Sequence, residues 1–134
     1  MIVVDTNLVV DYHFPRPRTL VAEAVVTRDP VWVAPALWRS EFRNVLVTLI
    51  DDGLLELGDA LRVAHHAERR MAAGEYQVMS DAVLRLAVDS GCSAYDCEFV
   101  ALAQDLGARL VTRAVEVLKA FPGLAVTPER FARQ

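Results

Sequence analysis

Cysteine is scarce in this chain. Cys92 and Cys97 are the only two in 134 residues, too few for a disulfide framework, and no second Cys/His cluster completes a zinc set. Both thiols are expected to stay free. Long apolar runs are also missing: no uninterrupted stretch approaches the ~18 residues of a membrane span, and residues 1–5 lack the basic and long apolar regions of a secretory signal. The expectation is a soluble, cytoplasmic chain without membrane contact. Basic residues are not in excess either, since 14 Lys+Arg stand against 18 Asp+Glu for a net charge of -4. That balance argues against a protein that holds nucleic acid through a clustered basic surface. It leaves room for a nuclease, because an enzyme that grips phosphate through a divalent cation needs local acids to bind that cation. What the chain does have is apolar material. A hydrophobic fraction of 54% beside 24% charged residues excludes a disordered composition and supplies one core, so residues 1–134 are expected to form one domain.

The order of elements follows from local pattern. Ile2, Val3 and Val4 are a continuous β-branched run, as in a strand buried on both faces, and Asp5, Thr6 and Asn7 offer capping side chains for a helix. Phe14-Pro15-Arg16-Pro17 breaks that helix, after which Leu20, Val21, Ala24 and Val25 mark one face of a second helix over 18–27. Residues 31–34 have strand character, with Pro35 placed in the first turn of a helix that runs to about Asp52 and stops at Gly53. Helices over 59–73 and 81–90 end at Gly74 and Gly91. Ser93 caps a helix over 94–106 closed by Gly107; then come a buried strand over 109–112, a two-turn helix over 115–120, a short apolar run over 124–126 and a polar C-terminal turn. Strands alternating with helices require a mostly parallel sheet covered on both faces.

Three acids stand out against that frame. Asp5 directly follows the first strand, where ligands of open parallel sheets bind; its ordinary alternative is to cap the next helix. Glu41 borders the apolar stripe of Leu37, Phe42, Val45, Leu46, Leu49 and Ile50, so its carboxylate needs a partner, the ordinary one being an arginine elsewhere. Asp96 lies in the first turn of the helix capped by Ser93, where the helix dipole alone would favour it. Yet that helix enters the core through Phe99, Val100, Leu102 and Ala103, and right-handed crossovers would bring Asp96 to the same end of the sheet as Asp5. Three converging carboxylates without Cys or His partners suit Mg²⁺ or Mn²⁺ rather than Zn²⁺. His13, His65 and His66 share no ligand spacing with an acid, Cys97 has no paired His, and Trp32 and Trp38 read as core.

Val-Val-Asp5-Thr6-Asn7, Glu41 in Trp-Arg-Ser-Glu-Phe-Arg-Asn, Ser-Ala-Tyr-Asp96 before Cys-Glu-Phe-Val-Ala-Leu-Ala, and Leu-Val-Thr112 before a short helix together resemble a PIN domain. The likeness covers nearly the whole chain and is strongest to the VapC-type toxins of bacterial toxin–antitoxin pairs. It implies a three-layer α/β/α sandwich around a mostly parallel sheet, and a metal-dependent endoribonuclease using Mg²⁺ or Mn²⁺. Residue by residue, Asp5, Glu41 and Asp96 match the family's first three acids, Thr112 its late hydroxyl residue, and Asn7 and Asn44 polar neighbours of the site. The fourth acid is replaced by Ala114; Glu116 stands two residues further, about 200° around a helix. The likeness also implies an RNA substrate, a homodimer, and an antitoxin that docks as an amphipathic helix. Arg39, Arg43 and Arg113 are candidates to guide RNA. Two rival readings remain. One is a PIN-like binding module weakened by Ala114; the other is a haloacid-dehalogenase-like phosphatase, which needs a second Asp where this chain has Asn7 and a lysine near the site, whereas the sole lysine is Lys119.

Overall fold

Five short strands, all parallel, form a central sheet in the computed structural model, which describes residues 1–14 and 17–134. The first is β1 (Ile2–Val4), followed by α1 (Thr6–His13) and α2 (Pro17–Arg28). Of the expected helix break, Pro15 and Arg16 lie outside the described residues. Next come β2 (Trp32–Pro35), α3 (Trp38–Asp51) and α4 (Leu57–Met71), then a single 3-10 turn over Ala72–Gly74 and β3 (Glu75–Tyr76). The rest is α5 (Ser80–Ser90), α6 (Ala94–Leu106), β4 (Leu110–Val111), α7 (Val115–Ala120), β5 (Ala125–Val126) and α8 (Pro128–Arg133).

The strands run in the order β3-β2-β1-β4-β5. The chain therefore steps outward from β1 to β3, returns across the sheet, and lays β4 on the other side of β1. That reversal opens a crevice at the carboxyl ends of β1 and β4, where open α/β sheets bind ligands. Register keeps the two strands level there, with Val4 opposite Val111. Every residue of β1, β2, β4 and β5 is buried, as expected when helices cover both faces. Helix α6 lies against β1, β2 and β4, and its Cys97, Phe99, Val100, Leu102 and Ala103 are all buried.

Several elements depart from the sequence-based expectation. Pro35 ends β2 instead of opening a helix. It is tolerated because the next N–H, that of Ala36, donates to the Tyr76 carbonyl at 2.9 Å and closes the ladder. Strand β3 has no apolar alternation to announce it and exists through its pairing with β2, Ala34 opposite Glu75. Gly74 does more than end a helix: a Cβ there would meet the Trp32 carbonyl oxygen at 2.4 Å, so only glycine lets this turn approach β2. The polar C-terminal turn is helix α8, whose Thr127 side chain accepts from the Arg130 N–H while Phe131 is buried. Gly53, Gly91 and Gly107 all stop their helices with positive φ.

Candidate functional site

Asp5 leaves the sheet at its reversal point. Its backbone N–H donates to Val111 O at 3.0 Å and its carbonyl accepts from the Leu8 N–H at 3.0 Å, so the main chain both finishes the ladder and starts α1. The side chain makes no cap bond to that helix, which removes the ordinary alternative for this residue. Instead its Oδ2 accepts from the Thr112 hydroxyl at 2.6 Å, across 107 residues of sequence. Thr112 is buried, and its oxygen in turn accepts from the Ala114 N–H at 3.0 Å. One hydroxyl thus fixes the carboxylate of β1 and the backbone leading into α7.

Glu41, in the first turn of α3, is half-buried and has no arginine partner among the described residues. Its Oε1 accepts from the buried Thr6 hydroxyl at 2.7 Å. Burial raises the Glu41 carboxyl above its ordinary value, and the charges of Asp5, Asp96 and Glu98 push it the same way, with the Thr6 bond opposing them. Asp96 sits where Ser93 caps α6, its N–H donating to Ser93 Oγ at 3.0 Å. Its carboxyl is raised as well, by burial first, then by Asp5 and, more weakly, by Glu116, against a stabilising bond to the Ser93 side chain. Glu41 thus feels the charges of Asp5 and Asp96, and Asp96 that of Asp5. Asp5 and Glu41 are each held by a hydroxyl, from Thr112 and Thr6 respectively, and the Asp96 backbone by that of Ser93.

Asp5, Thr6, Asn7, Glu41, Asn44, Val45, Asp96, Arg113 and Ala114 line a cleft of about 360 Å³. All three acids, both asparagines and Ala114 therefore line the same cleft. Among the described residues, no three His, Cys, Asp or Glu side chains stand close enough to form a ready-made metal group. The acids share the cleft and each other's field without closing on one point. Glu116 is exposed at the start of α7 and contributes charge toward Asp96.

The three arginines expected to guide RNA lie in different places. Arg39 lies away from the cleft, with Nε and Nη2 donating to the two oxygens of Glu75 at 2.6 and 2.7 Å and Nη1 to Glu68 at 2.9 Å. Arg113 lines the cleft but is engaged by Asp11 at 3.0 Å and Glu129 at 2.5 Å. Both are structural clamps. Arg43 is exposed. The histidines stay out of the site: His65 and His66 are exposed, and His13 Nδ1 pairs with Val9 O at 2.8 Å. Trp32 and Trp38 are core residues, and both cysteines are buried free thiols. The sequence marked Thr6 only as a capping side chain and gave no sign of Glu98; the signal for Thr6 was its place between Asp5 and Asn7, a hydroxyl beside an acid.

The PIN-domain family model matches residues 2–116. The chain belongs to the PIN-domain family. This PIN domain is 30% identical over 140 residues to Ribonuclease VapC3 of Pyrobaculum aerophilum, an alignment covering 95% of this chain and 98% of that one. Its fold matches the crystal structure of PAE2754 from Pyrobaculum aerophilum with a TM-score of 0.76 at 23% identity, over 98% of this chain and 96% of that one. A toxin–antitoxin complex from Klebsiella pneumoniae contains a chain of the same fold, with a TM-score of 0.67 at 19% identity over 96% and 98%.

Proposed function

We propose that this PIN domain is a metal-dependent endoribonuclease, the toxin of a type II toxin–antitoxin pair, which hydrolyses RNA phosphodiester bonds in the cytoplasm. The observation that carries the reading is the cleft at the sheet's reversal, which Asp5, Glu41 and Asp96 line together. The relative named as a ribonuclease supports it.

The donor set fits a hard divalent cation, because the cleft offers carboxylate oxygens and neither sulfur nor imidazole. Asp5, Glu41 and Asp96 are the residues that would hold Mg²⁺ or Mn²⁺. When bound, such an ion supplies neutralisation of the phosphate and a water acidic enough to attack phosphorus. The chain's own hydroxyls do the positioning: Thr112 pins one oxygen of Asp5 and Thr6 one oxygen of Glu41, and no other side-chain bond among the described residues engages the second oxygen of either. Asn7 and Asn44 offer amide donors to a phosphate or its water along the same wall. Ala114 supplies no ligand, so three acids carry the site.

Its partners on this reading are RNA, a cognate antitoxin and a second copy of the chain. Exposed apolar pairs at helical spacing support protein partners: Leu57 and Leu61 on α4 are 63% and 52% exposed, and Leu84 and Val88 on α5 are 60% and 82% exposed. No helix among the described residues is long and apolar enough to cross a membrane.

The test is cleavage of total cellular RNA by the purified chain with Mg²⁺ or Mn²⁺, beside Asp5→Asn and Asp96→Asn. Cleavage by the parent, lost with EDTA and in both variants while their melting is unchanged or raised, is the expected result. Undiminished cleavage in either variant would show that the site lies elsewhere.

A further inference from the structure

A second groove, also about 360 Å³, opens beyond the carboxyl ends of β2 and β3. Ala36, Tyr76, Gln77, Ser80, Leu84 and Glu98 are among its lining residues. Its Glu98 lies within electrostatic reach of Glu41 in the acidic cleft. Glu98 follows Asp96 by two residues on α6, and its charge acts on Glu41; Ala36 leads into the helix that carries Glu41.

The polar groups of this groove are unspent. Glu98 is half-buried, and among the described residues its carboxylate has neither an ion pair nor a hydrogen bond. Tyr76 is 37% exposed, and the ring contacts of the described residues do not involve it. Gln77 is exposed beside it. A half-buried carboxylate without a partner is costly unless a ligand supplies the donor.

We infer that this groove is a nucleobase subsite, in which Tyr76 stacks on a base next to the scissile phosphate and Glu98 reads guanine at that position. This rests on the ribonuclease reading for its substrate. The charge in the groove repels phosphate, so the part of RNA that enters is the uncharged base, with the backbone left outside. A flat, exposed ring is the platform on which unpaired bases stack. The two oxygens of Glu98 then discriminate. Guanine presents N1–H and N2–H₂ side by side on its Watson–Crick edge, a matched pair of donors for one carboxylate, whereas uracil, adenine and cytosine each present a single donor group there.

Two experiments separate the subsite from the activity. In the first, single-stranded RNA with a randomised centre is cut in Mn²⁺ and both product ends are sequenced. The parent should enrich guanine at one fixed position beside the break, and Glu98→Gln should reduce that preference about tenfold. Tyr76→Ala should slow cleavage of every sequence, with Tyr76→Phe close to the parent. Cleavage without a fixed guanine, or a preference unchanged in Glu98→Gln, overturns the proposal. In the second, guanosine, adenosine, cytidine and uridine are titrated into the chain in EDTA and followed by protein NMR. Guanosine should move the Gln77 and Glu98 amides most, and Glu98→Gln should erase the difference. Guanosine binding without RNA cleavage in any metal would sink the ribonuclease reading and keep the subsite. Amides indifferent to all four nucleosides, or moving with protein concentration alone as in a contact between copies, would sink the subsite.

Discussion

Thr6→Val isolates the hydroxyl that holds Glu41. The side chain is 3% exposed, and valine keeps its shape, so packing is conserved while the 2.7 Å bond to Glu41 Oε1 is lost. A hydrogen bond to a charged group contributes about 1.5–3 kcal/mol, which in a domain of this size lowers Tm by roughly 5–10 °C. The loss should depend on pH. Burial and neighbouring acids hold the folded Glu41 carboxyl above its unfolded value, and Thr6 opposes that rise; removing Thr6 raises the folded value further. Below the unfolded value Glu41 is protonated in both states, and only the smaller neutral bond, about 0.5–1.5 kcal/mol, is missing. As pH climbs through the window up to the variant's raised folded value, the folded state must ionise an acid that has lost its donor, so the deficit grows and then levels. Urea denaturation of metal-free parent and variant at pH 4.5 and pH 8 measures both ends. Thr6→Ser, which restores the donor, should recover most of the pH 8 loss. Equal deficits at the two pH values would refute the claim that Thr6 acts on the charged form of Glu41.

Ala114→Asp adds a carboxylate at a cleft-lining position with extended backbone; Mn²⁺ affinity measured by titration calorimetry should rise about tenfold, and no gain would show that this position is not a vacated ligand site. Arg39→Ala removes the fork on Glu75 and the bond to Glu68, and should cost about 1–2 kcal/mol after allowance for its partial exposure while RNA cleavage at permissive temperature stays at the parental rate; a selective loss of RNA binding would return Arg39 to the substrate path. Gly74→Ala forces a Cβ against backbone at 2.4 Å, which cannot rotate away, so the denaturation midpoint should fall by the equivalent of about 1–3 kcal/mol; an unchanged midpoint would mean that the turn shifts freely.

Local chemistry made much of this protein legible from its sequence. The β-branched run Ile2–Val4 is a strand buried on both faces. Ser93 caps α6 through a bond three residues long, and Gly53, Gly91 and Gly107 stop helices because each adopts a positive φ. Asp5, Glu41 and Asp96 were each visible as an acid at an awkward place: a strand end, the edge of an apolar stripe, the mouth of a buried helix. Those signals need only neighbours a few residues away. Tertiary structure decided the rest. Strand β3 exists because β2 presents it an edge, and Pro35 belongs to a strand because the Ala36 N–H finds Tyr76. Arg39 became a clamp on Glu75, 36 residues away, when the sequence had marked it as a candidate to guide RNA. The hydroxyl bonds that orient the site, Thr6 to Glu41 and Thr112 to Asp5, span 35 and 107 residues. Side-chain spacing along a helix or strand reports which face is buried; it carries no information about which distant group will stand opposite, because that is set by where the sheet reverses and by the register in which β1 and β4 pair.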